Sequence, residues 1–231
     1  MRQLESKIAR LGRKIVMCNV KKCSGIDRNR SEGVLPRCLI LEPAGRGARG
    51  GCVVIGINPG QATDKEKQHY KTDGATYDAF RRYWKNDLES KHQYYERTRK
   101  LLESFGLRGS ILWTDLVKCQ REDGAKGLPP MATLRKCSGR FLSKELALIP
   151  VQWPLIALGT EAFKALAYMY PDRTVIGVPH PTGAYGDKFS AHLPDGRLHD
   201  ESNNAVQKSL SRPTGQLLWL PDVGKKSFSR D

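Results

Sequence analysis

The side chains best suited to chemistry follow two short apolar runs of the chain. Asn58 lies in the segment GINPG at residues 56–60, after the run CVVIG, and His180 begins HPTG, after TVIGV. Glycines let the backbone approach a ligand closely, and Pro59 fixes a backbone angle, so the Asn58 amide can hold a water molecule in place. A histidine after a strand can donate a hydrogen bond to a developing anion. Taken singly, each segment is more typical of an ordinary turn or a structural side chain.

Four of the six cysteines form two pairs that lie far apart in the sequence. Cys18 and Cys23 lie near the N-terminus, and Cys119 and Cys137 flank a loop rich in glycine and proline. The first residues carry charges throughout and lack the apolar core of a secretory signal, so we expect a cytoplasmic protein with reduced thiols. Cysteine pairs from distant parts of such a chain indicate a metal or cluster site. Zinc at the same thiols, and structural cysteines without a metal, are the alternatives.

The charge of the chain points to a polyanionic partner. Lysine and arginine total 39 against 24 acidic residues, which gives a formal net charge of +15. Such an excess favours nucleic acid, although an enzyme for acidic substrates would share it. The loops near the polar segments are also basic, with Arg46, Arg49, Lys65, Lys67, Lys71, Arg121, Lys126, Arg135 and Lys136. No apolar run approaches roughly 18 residues, so we expect no membrane span.

The elements that must position these residues alternate between strands and helices. Apolar runs bounded by glycine predict strands at 52–56, 111–119, 154–159 and 174–178, and a last apolar segment lies at 217–221. Helical periodicity predicts helices at 4–16, 76–86, 92–105, 131–147, after Thr160 and at 201–211, with a loop at 58–75. This alternation is typical of an α/β fold, a mostly parallel sheet flanked by helices. We expect a single domain over residues 1–231, with a helix and cysteine segment at 1–33 and an irregular extension at 187–231. Ligands bind such folds beyond the carboxyl ends of the strands, where the polar segments lie.

Four segments together resemble the uracil-DNA glycosylase superfamily. GINPG at 56–60, TDLVKC at 114–119, ALGTEA at 157–162 and HPTG at 180–183 have the order and spacing of its motifs. GINPG is similar to the mismatch-specific branch, whereas TDLVKC and the cysteines look like the iron–sulfur branch known as family 4 or 5. The resemblance covers residues 18–185 and implies a three-layer α/β sandwich. It also implies a monofunctional enzyme that flips uracil, or a related deaminated base, out of DNA and hydrolyses its glycosidic bond.

The resemblance implies a role for each matching residue. Asn58 would orient the attacking water, and His180 would stabilise the charge that develops on O2 of the base. The base would be held by Gly56, Ile57, Pro59, Gly60, Gln61, Tyr70, Asp115 and Thr182, with Tyr70 stacking on its face. Tyr185 would fill the gap in the duplex, and Lys65, Lys71 and Arg121 would contact phosphates. A structural [4Fe–4S] cluster would be held by Cys18, Cys23, Cys119 and Cys137, with no organic cofactor, in a monomer that binds DNA.

Three departures from the family pattern leave the substrate open. Asp115 stands where relatives carry an asparagine that donates to O4 and accepts from N3–H of uracil. An ionised carboxylate can only accept, so Asp115 accepts from N3–H, accepts from the amino group of cytosine, donates to O4 when protonated, or points elsewhere and caps a turn. Residues 184–186 replace the usual wedge, and Cys18 and Cys23 are separated by four residues rather than two. A non-catalytic DNA-binding module and a cluster-bearing enzyme with another nucleic-acid or nucleotide substrate are the alternative functions.

Overall fold

The computed structural model describes residues 2–45, 48, 50–122, 128–182 and 185–223 of the chain. Arg46, Arg49 and Lys126, which the sequence placed in basic loops, lie outside the described residues, as do Gly183 and Ala184. Among the residues that the structure describes, no helix has the length and apolar character that a bilayer crossing requires.

The strands of the described residues form one large sheet and one small ribbon. They are β1 (Ile26–Asp27), β2 (Ile40–Glu42), β3 (Gly51–Gly56), β4 (Ser110–Asp115), β5 (Gln120–Arg121), β6 (Leu155–Leu158), β7 (Val175–Val178) and β8 (Leu217–Trp219). The large sheet has the order β2-β4-β3-β6-β7-β8. Strand β2 pairs antiparallel with β4, and the other neighbours pair parallel. Strands β1 and β5 form the antiparallel ribbon.

Helices flank the sheet and complete an α/β sandwich of three layers, which confirms the predicted fold class. They are α1 (Arg2–Val16), α2 (Asp64–Asp73), α3 (Tyr77–Tyr83), α4 (Gln93–Ser104), α5 (Met131–Cys137), α6 (Ser143–Leu146), α7 (Thr160–Met169), α8 (Gly186–Ser190) and α9 (His199–Leu210). Two π-helical turns, Trp84–Leu88 and Ser138–Leu142, extend α3 and α5. They divide the two longer helices that were predicted at 76–86 and 131–147.

The central strands are apolar on both faces because helices cover both sides of the sheet. The side chains of Val53, Val54 and Ile55 in β3 are fully buried. In β7, a Cβ at Gly177 would lie 2.3 Å from the indole of Trp219, so glycine is what lets β8 pack beside β7.

The carboxyl ends of the central strands meet at one edge of the sheet. Gly56, the last residue of β3, is in register with Asp115, the last residue of β4. Leu158 at the end of β6 is likewise in register with Val178 at the end of β7. The segments that follow these strands therefore emerge side by side, as the sequence predicted.

Two segments predicted to be irregular contain regular elements, which corrects the loop predicted at 58–75 and the irregular extension predicted at 187–231, although the helix predicted at 201–211 is present as α9. The first holds α2, whose Thr63 hydroxyl accepts a hydrogen bond from the Glu66 backbone at 3.2 Å, half of a capping box. The second holds α8, α9 and β8 within its described part. Trp219 of β8 stacks on Phe163 of α7 with 5.2 Å between the rings, and this burial orders a short apolar run that looks isolated in the sequence.

Candidate active site

A cavity of about 340 Å³ opens at the carboxyl edge of the sheet. Its wall includes Asn58 from the loop after β3, Asp115 from the end of β4 and His180 from the loop after β7. The other cavity residues that the sequence predicted are Gly56, Ile57, Pro59, Gly60, Gln61 and Thr182. The structure thus brings together the residues predicted to act on or hold a base, except Tyr70.

Backbone hydrogen bonds hold the loop after β3 against the residues that follow β4. The Leu116 amide donates to the Gly56 carbonyl at 2.9 Å, and the Val117 amide donates to the Ile57 carbonyl at 2.9 Å. These bonds continue the pairing of β3 and β4 beyond the two strands. They fix the backbone on the N-terminal side of Asn58, so the position of its side chain is set by the sheet.

The amide of Asn58 is oriented by its own loop. Its Nδ2 donates to the Pro59 carbonyl at 2.8 Å, and the residue is half-buried in the cavity wall. This bond uses one of the two N–H donors of the amide, and Oδ1 can accept a hydrogen bond from water. A carboxamide does not take up a proton near neutral pH. Asn58 can therefore orient a water molecule but cannot serve as a general base.

Thr182 anchors the imidazole of His180. Nδ1 lies 3.2 Å from the Thr182 carbonyl oxygen, 3.4 Å from its amide nitrogen and 3.3 Å from its hydroxyl. The ring also packs against Tyr94, with 5.6 Å between the ring centres. Burial lowers the pKa of His180, and the hydrogen bond with Thr182 opposes that shift. The imidazole is therefore mostly neutral at pH 7. When Nδ1 accepts from the Thr182 amide, the ring carries its proton on Nε2; when Nδ1–H donates to the Thr182 carbonyl, Nε2 is an acceptor.

The carboxyl group of Asp115 occupies space that only a glycine leaves free. A Cβ at Gly56 would lie 2.5 Å from Oδ1 of Asp115 and 3.1 Å from the Tyr94 hydroxyl. Burial raises the pKa of Asp115 to about 6, and the positive charge of Lys118 opposes that shift. The carboxyl is therefore far easier to protonate than an exposed aspartate. The carboxyl lies in the cavity wall, so the structure does not support the alternative in which Asp115 points elsewhere and caps a turn.

Aromatic side chains form much of the cavity wall: Phe80, Tyr83, Trp84, Tyr94, Tyr95 and Trp113. Tyr70 is not among them. It is buried on α2, with 3% of its surface exposed, and its hydroxyl donates to Oε1 of Glu66 at 3.4 Å. The structure therefore corrects the predicted stacking role of Tyr70, because α2 turns this ring into the core, where it packs on Tyr83.

Arg37 is a cavity residue that the sequence did not predict. Its Nε lies 3.0 Å from Oε1 of Glu66, and its Nη2 lies 2.5 Å from Oε2, so the guanidinium and carboxylate pair through two hydrogen bonds. Glu66 is buried and Arg37 is half-buried. The segment LPRC around Arg37 matches no motif, and only the buried Glu66 on α2 explains why a cation is held there.

The lysines predicted to contact phosphates are exposed on α2. Lys65 forms an ion pair with Asp87, and Lys71 forms one with Glu32 at 2.9 Å. Exposed ion pairs contribute little free energy. Both ammonium groups can therefore exchange these partners for phosphate.

The other two residues predicted to contact DNA differ in their surroundings. The backbone carbonyl of Arg121, in β5, accepts a hydrogen bond from Gln61 of the cavity wall at 2.9 Å. Tyr185 is 53% exposed and lies under the ammonium of Lys188, 5.4 Å from the ring centre. An exposed aromatic ring is what insertion into a duplex requires.

The four paired cysteines line a second, smaller cavity of about 20 Å³. Cys18 and Cys23 come from the segment after α1, Cys119 from the turn after β4, and Cys137 from the end of α5. Burial, and then the nearby Cys137 thiol, raise the pKa of Cys119 to about 12. Two donors reach the sulfur atoms: Arg28 Nη1 lies 3.6 Å from Sγ of Cys18, and the Lys118 amide lies 3.3 Å from Sγ of Cys137.

No three histidine, cysteine or acidic side chains of the described residues are placed to hold one metal ion together. A [4Fe–4S] cluster takes one thiolate per iron atom, so its sulfur ligands stand farther apart than those of a single ion. Four cysteines around one cavity, with N–H donors to two sulfur atoms, are a donor set that fits such a cluster.

A parallel sheet with a polar cavity beyond its carboxyl edge defines an α/β protein that binds a ligand at that edge. The model of the family described as "UDG: Uracil DNA glycosylase superfamily" matches residues 46–195, well over half of the chain. The chain therefore belongs to the uracil DNA glycosylase superfamily, a class of glycosylase-type hydrolases that act on DNA. The matched range contains the cavity segments at 56–60, 114–119 and 180–182. A comparison with curated proteins gave no match.

Proposed function

We propose that this protein is a monofunctional DNA glycosylase that flips uracil out of DNA and hydrolyses its N-glycosidic bond, leaving an abasic site. The observation that carries the proposal is the meeting of Asn58, Asp115 and His180 in one cavity of a superfamily member. Such enzymes must take the base out of the stack to reach the bond. The aromatic cavity wall supplies faces on which an extruded base can stack.

Hydrolysis in this cavity depends on the leaving group. The bond between C1′ and N1 breaks, and its electron pair passes to the base, which becomes an anion. His180 donates from Nε2 to O2 of the base as this charge develops. The sugar becomes an oxocarbenium-like cation that the neighbouring DNA phosphates stabilise. A water oriented by Asn58 then attacks C1′ and loses a proton to solvent, since Asn58 cannot accept it.

Asp115 binds the base in its protonated form. A protonated carboxyl donates through its O–H to O4 of uracil and accepts N3–H through its other oxygen, as the asparagine of relatives does. The raised pKa of Asp115, about 6, supports this assignment over an ionised group that repels O4. The protein then acts on uracil, and its affinity for the base depends on pH.

Exposed Tyr185, Lys65 and Lys71, together with the half-buried Arg121, complete the DNA contact. Tyr185 fills the gap that the flipped nucleotide leaves, and Lys65, Lys71 and Arg121 bind phosphates, with the protein acting as a monomer. The net charge of +15 supports this binding mode, because cations that neutralise phosphates release counterions.

The protein belongs, in this proposal, with the iron–sulfur branch of the superfamily. Cys18, Cys23, Cys119 and Cys137 hold a [4Fe–4S] cluster, which supplies a structural cross-link rather than a step of the reaction. The shared cavity of the four thiols supports the assignment. The cluster would fasten the segment after α1 to the residues between β4 and α5.

The experiment that tests the function is a panel of oligonucleotides containing uracil, hypoxanthine, xanthine or cytosine at one position, single- and double-stranded. Free base is detected by mass spectrometry, and abasic sites are detected by alkaline cleavage of the strand. We expect uracil release without strand cleavage by the protein itself. Release of another base alone would contradict uracil as the substrate, and release of no base would favour a non-catalytic DNA-binding module.

A further inference from the structure

A buried ion pair lies directly behind the base cavity. Lys118 and Glu145 have side chains that are 1% and 0% exposed, and Nζ lies 2.8 Å from Oε2. Burying two charges costs more free energy than burying apolar side chains of the same volume. Neither side chain is among the described residues that line the cavity. Any effect of Lys118 and Glu145 on the cavity therefore passes through residues that line the cavity.

The Lys118 ammonium holds the end of β4. It donates to Oε2 of Glu145, to the Thr114 hydroxyl at 2.5 Å and to the Asp115 backbone carbonyl at 2.6 Å, so its three donors are all used. The Thr114 hydroxyl donates in turn to Oε2 of Glu145 at 2.7 Å. Thr114 and Asp115 both line the base cavity. The network thus fixes the two residues by which β4 reaches the base.

We propose that Lys118 and Glu145 are positioning residues for Asp115, and that their opposed charges set whether its carboxyl meets the base as a donor or as an acceptor. The inference rests on the proposed function, since it concerns the base that Asp115 binds. Lys118 and Glu145 hold the end of β4 in place. The positive charge of Lys118 favours the ionised form of the Asp115 carboxyl, and the negative charge of Glu145 favours its protonated form. Base choice is then determined partly by two side chains that never touch the base.

The groups that face Asp115 come from every element packed around it. They are Arg37 before β2, Tyr94 and Tyr95 of α4, Lys118 after β4 and Glu145 of α6. His180, after β7, lines the same cavity and packs on Tyr94. Lys118 and Arg37 favour the ionised carboxylate, whereas Glu145 favours the protonated form. Removing one member of the pair therefore shifts Asp115 in the direction opposite to removing the other.

The test follows the titration of Asp115 by NMR on protein labelled with ¹³C at the aspartate carboxyl, with the resonance assigned from Asp115→Asn. We expect Lys118→Met to raise the pKa of Asp115 and Glu145→Gln to lower it, each by about half a pH unit or more. Glu161→Gln, which removes an exposed carboxylate paired with Lys164 on α7, is the matched control and leaves the titration unchanged.

Shifts of the same sign in the two variants, or no shift in either, would overturn the proposal. Lys118→Met leaves the buried carboxylate of Glu145 without its cation and can fail to fold. Glu145→Gln keeps the shape of the side chain and still accepts a hydrogen bond from Lys118. If Lys118→Met does not fold, the titration of Asp115 in Glu145→Gln decides alone. On uracil DNA at pH 7.5 we expect Glu145→Gln to slow base release. The NMR titration needs no turnover, so a wild-type protein that releases no base contradicts the proposed function and leaves this test intact.

Discussion

In the proposed function, Asp115 is the residue by which the cavity distinguishes bases, and its carboxyl lies against Gly56 beside the aromatic wall. Asn58 and His180 would act on the bond, one through an oriented water and the other through a neutral imidazole. Neither would give the protein a preference among bases that share O2. The proposal therefore makes the protonation of Asp115 the chemical variable on which uracil release depends.

Release of uracil is expected to fall as the pH rises through about 6, the pKa of Asp115, because the donor to O4 is lost as the carboxyl ionises. Burial lowers the pKa of His180, so this ring loses its proton at a lower pH than a free imidazole does. Asp115→Asn donates at every pH, so its rate stays flat from pH 6 to pH 8. At pH 8 only about 1% of a carboxyl with a pKa of about 6 is protonated, so the variant is expected to exceed the wild type by on the order of 100-fold. Single-turnover rates on uracil DNA across this range measure both effects.

The matched control is Asp64→Asn on α2, since its carboxylate is fully exposed and lies outside the cavity. Its profile is expected to follow the wild type. A wild-type rate that rises with pH, or an Asp115→Asn variant that is slower at every pH, would show that the ionised carboxylate is the form that binds the base.

At the level of elements, the buried strands were predictable and the polar helix was not. Short apolar runs marked β3, β6 and β7, because a strand covered on both faces must be apolar throughout. Helix α2 was missed because it buries only Glu66 and Tyr70, and it has no apolar stripe. Its one signal is the spacing of Thr63 and Glu66, which matches a capping box. Missing α2 led directly to the error on Tyr70.

Helix α2 depends on a close backbone contact at Gly33. This residue has φ of +72°, and a Cβ there would lie 2.3 Å from the backbone oxygen of Lys67. Gly33→Ala is expected to destabilise the protein by about 2 kcal/mol, because it adds backbone strain and pushes α2 away. Thermal unfolding measures the loss. Gly139→Ala, where a Cβ meets nothing within 4 Å, is the control, and equal stability of the two variants would contradict the packing described.

At the level of the whole molecule, the sheet places two sites on either side of the residues that follow β4. Asp115 lines the base cavity, and Cys119, four residues on, lines the cysteine cavity. The sequence showed both sets of residues, because the cavity segments follow recognisable strands and the four cysteines form two spaced pairs. It could not show Arg37, the aromatic wall or β8, since their positions depend on contacts between distant segments.

The cluster proposal predicts iron and sulfide in the amounts of one [4Fe–4S] cluster per chain, with visible absorption in the purified protein. Removing the metal is expected to lower the unfolding temperature, because the segment after α1 loses its link to Cys119 and Cys137. Cys119→Ser should lose the iron, whereas Cys52→Ala, at a buried cysteine of β3, should keep it. Zinc in place of iron, or a colourless protein without metal, would contradict the assignment.

In the proposed function, this cavity breaks the glycosidic bond of uracil in DNA. The most direct measurement is single-turnover release of free uracil by the wild type, by Asn58→Ala and by His180→Ala, with binding to the same DNA measured in parallel. We predict that each variant binds within a few-fold of the wild type and releases uracil at least about 100-fold more slowly, the loss typical of a missing electrostatic or positioning group. Release by both variants at the wild-type rate would contradict the assignment of the active site.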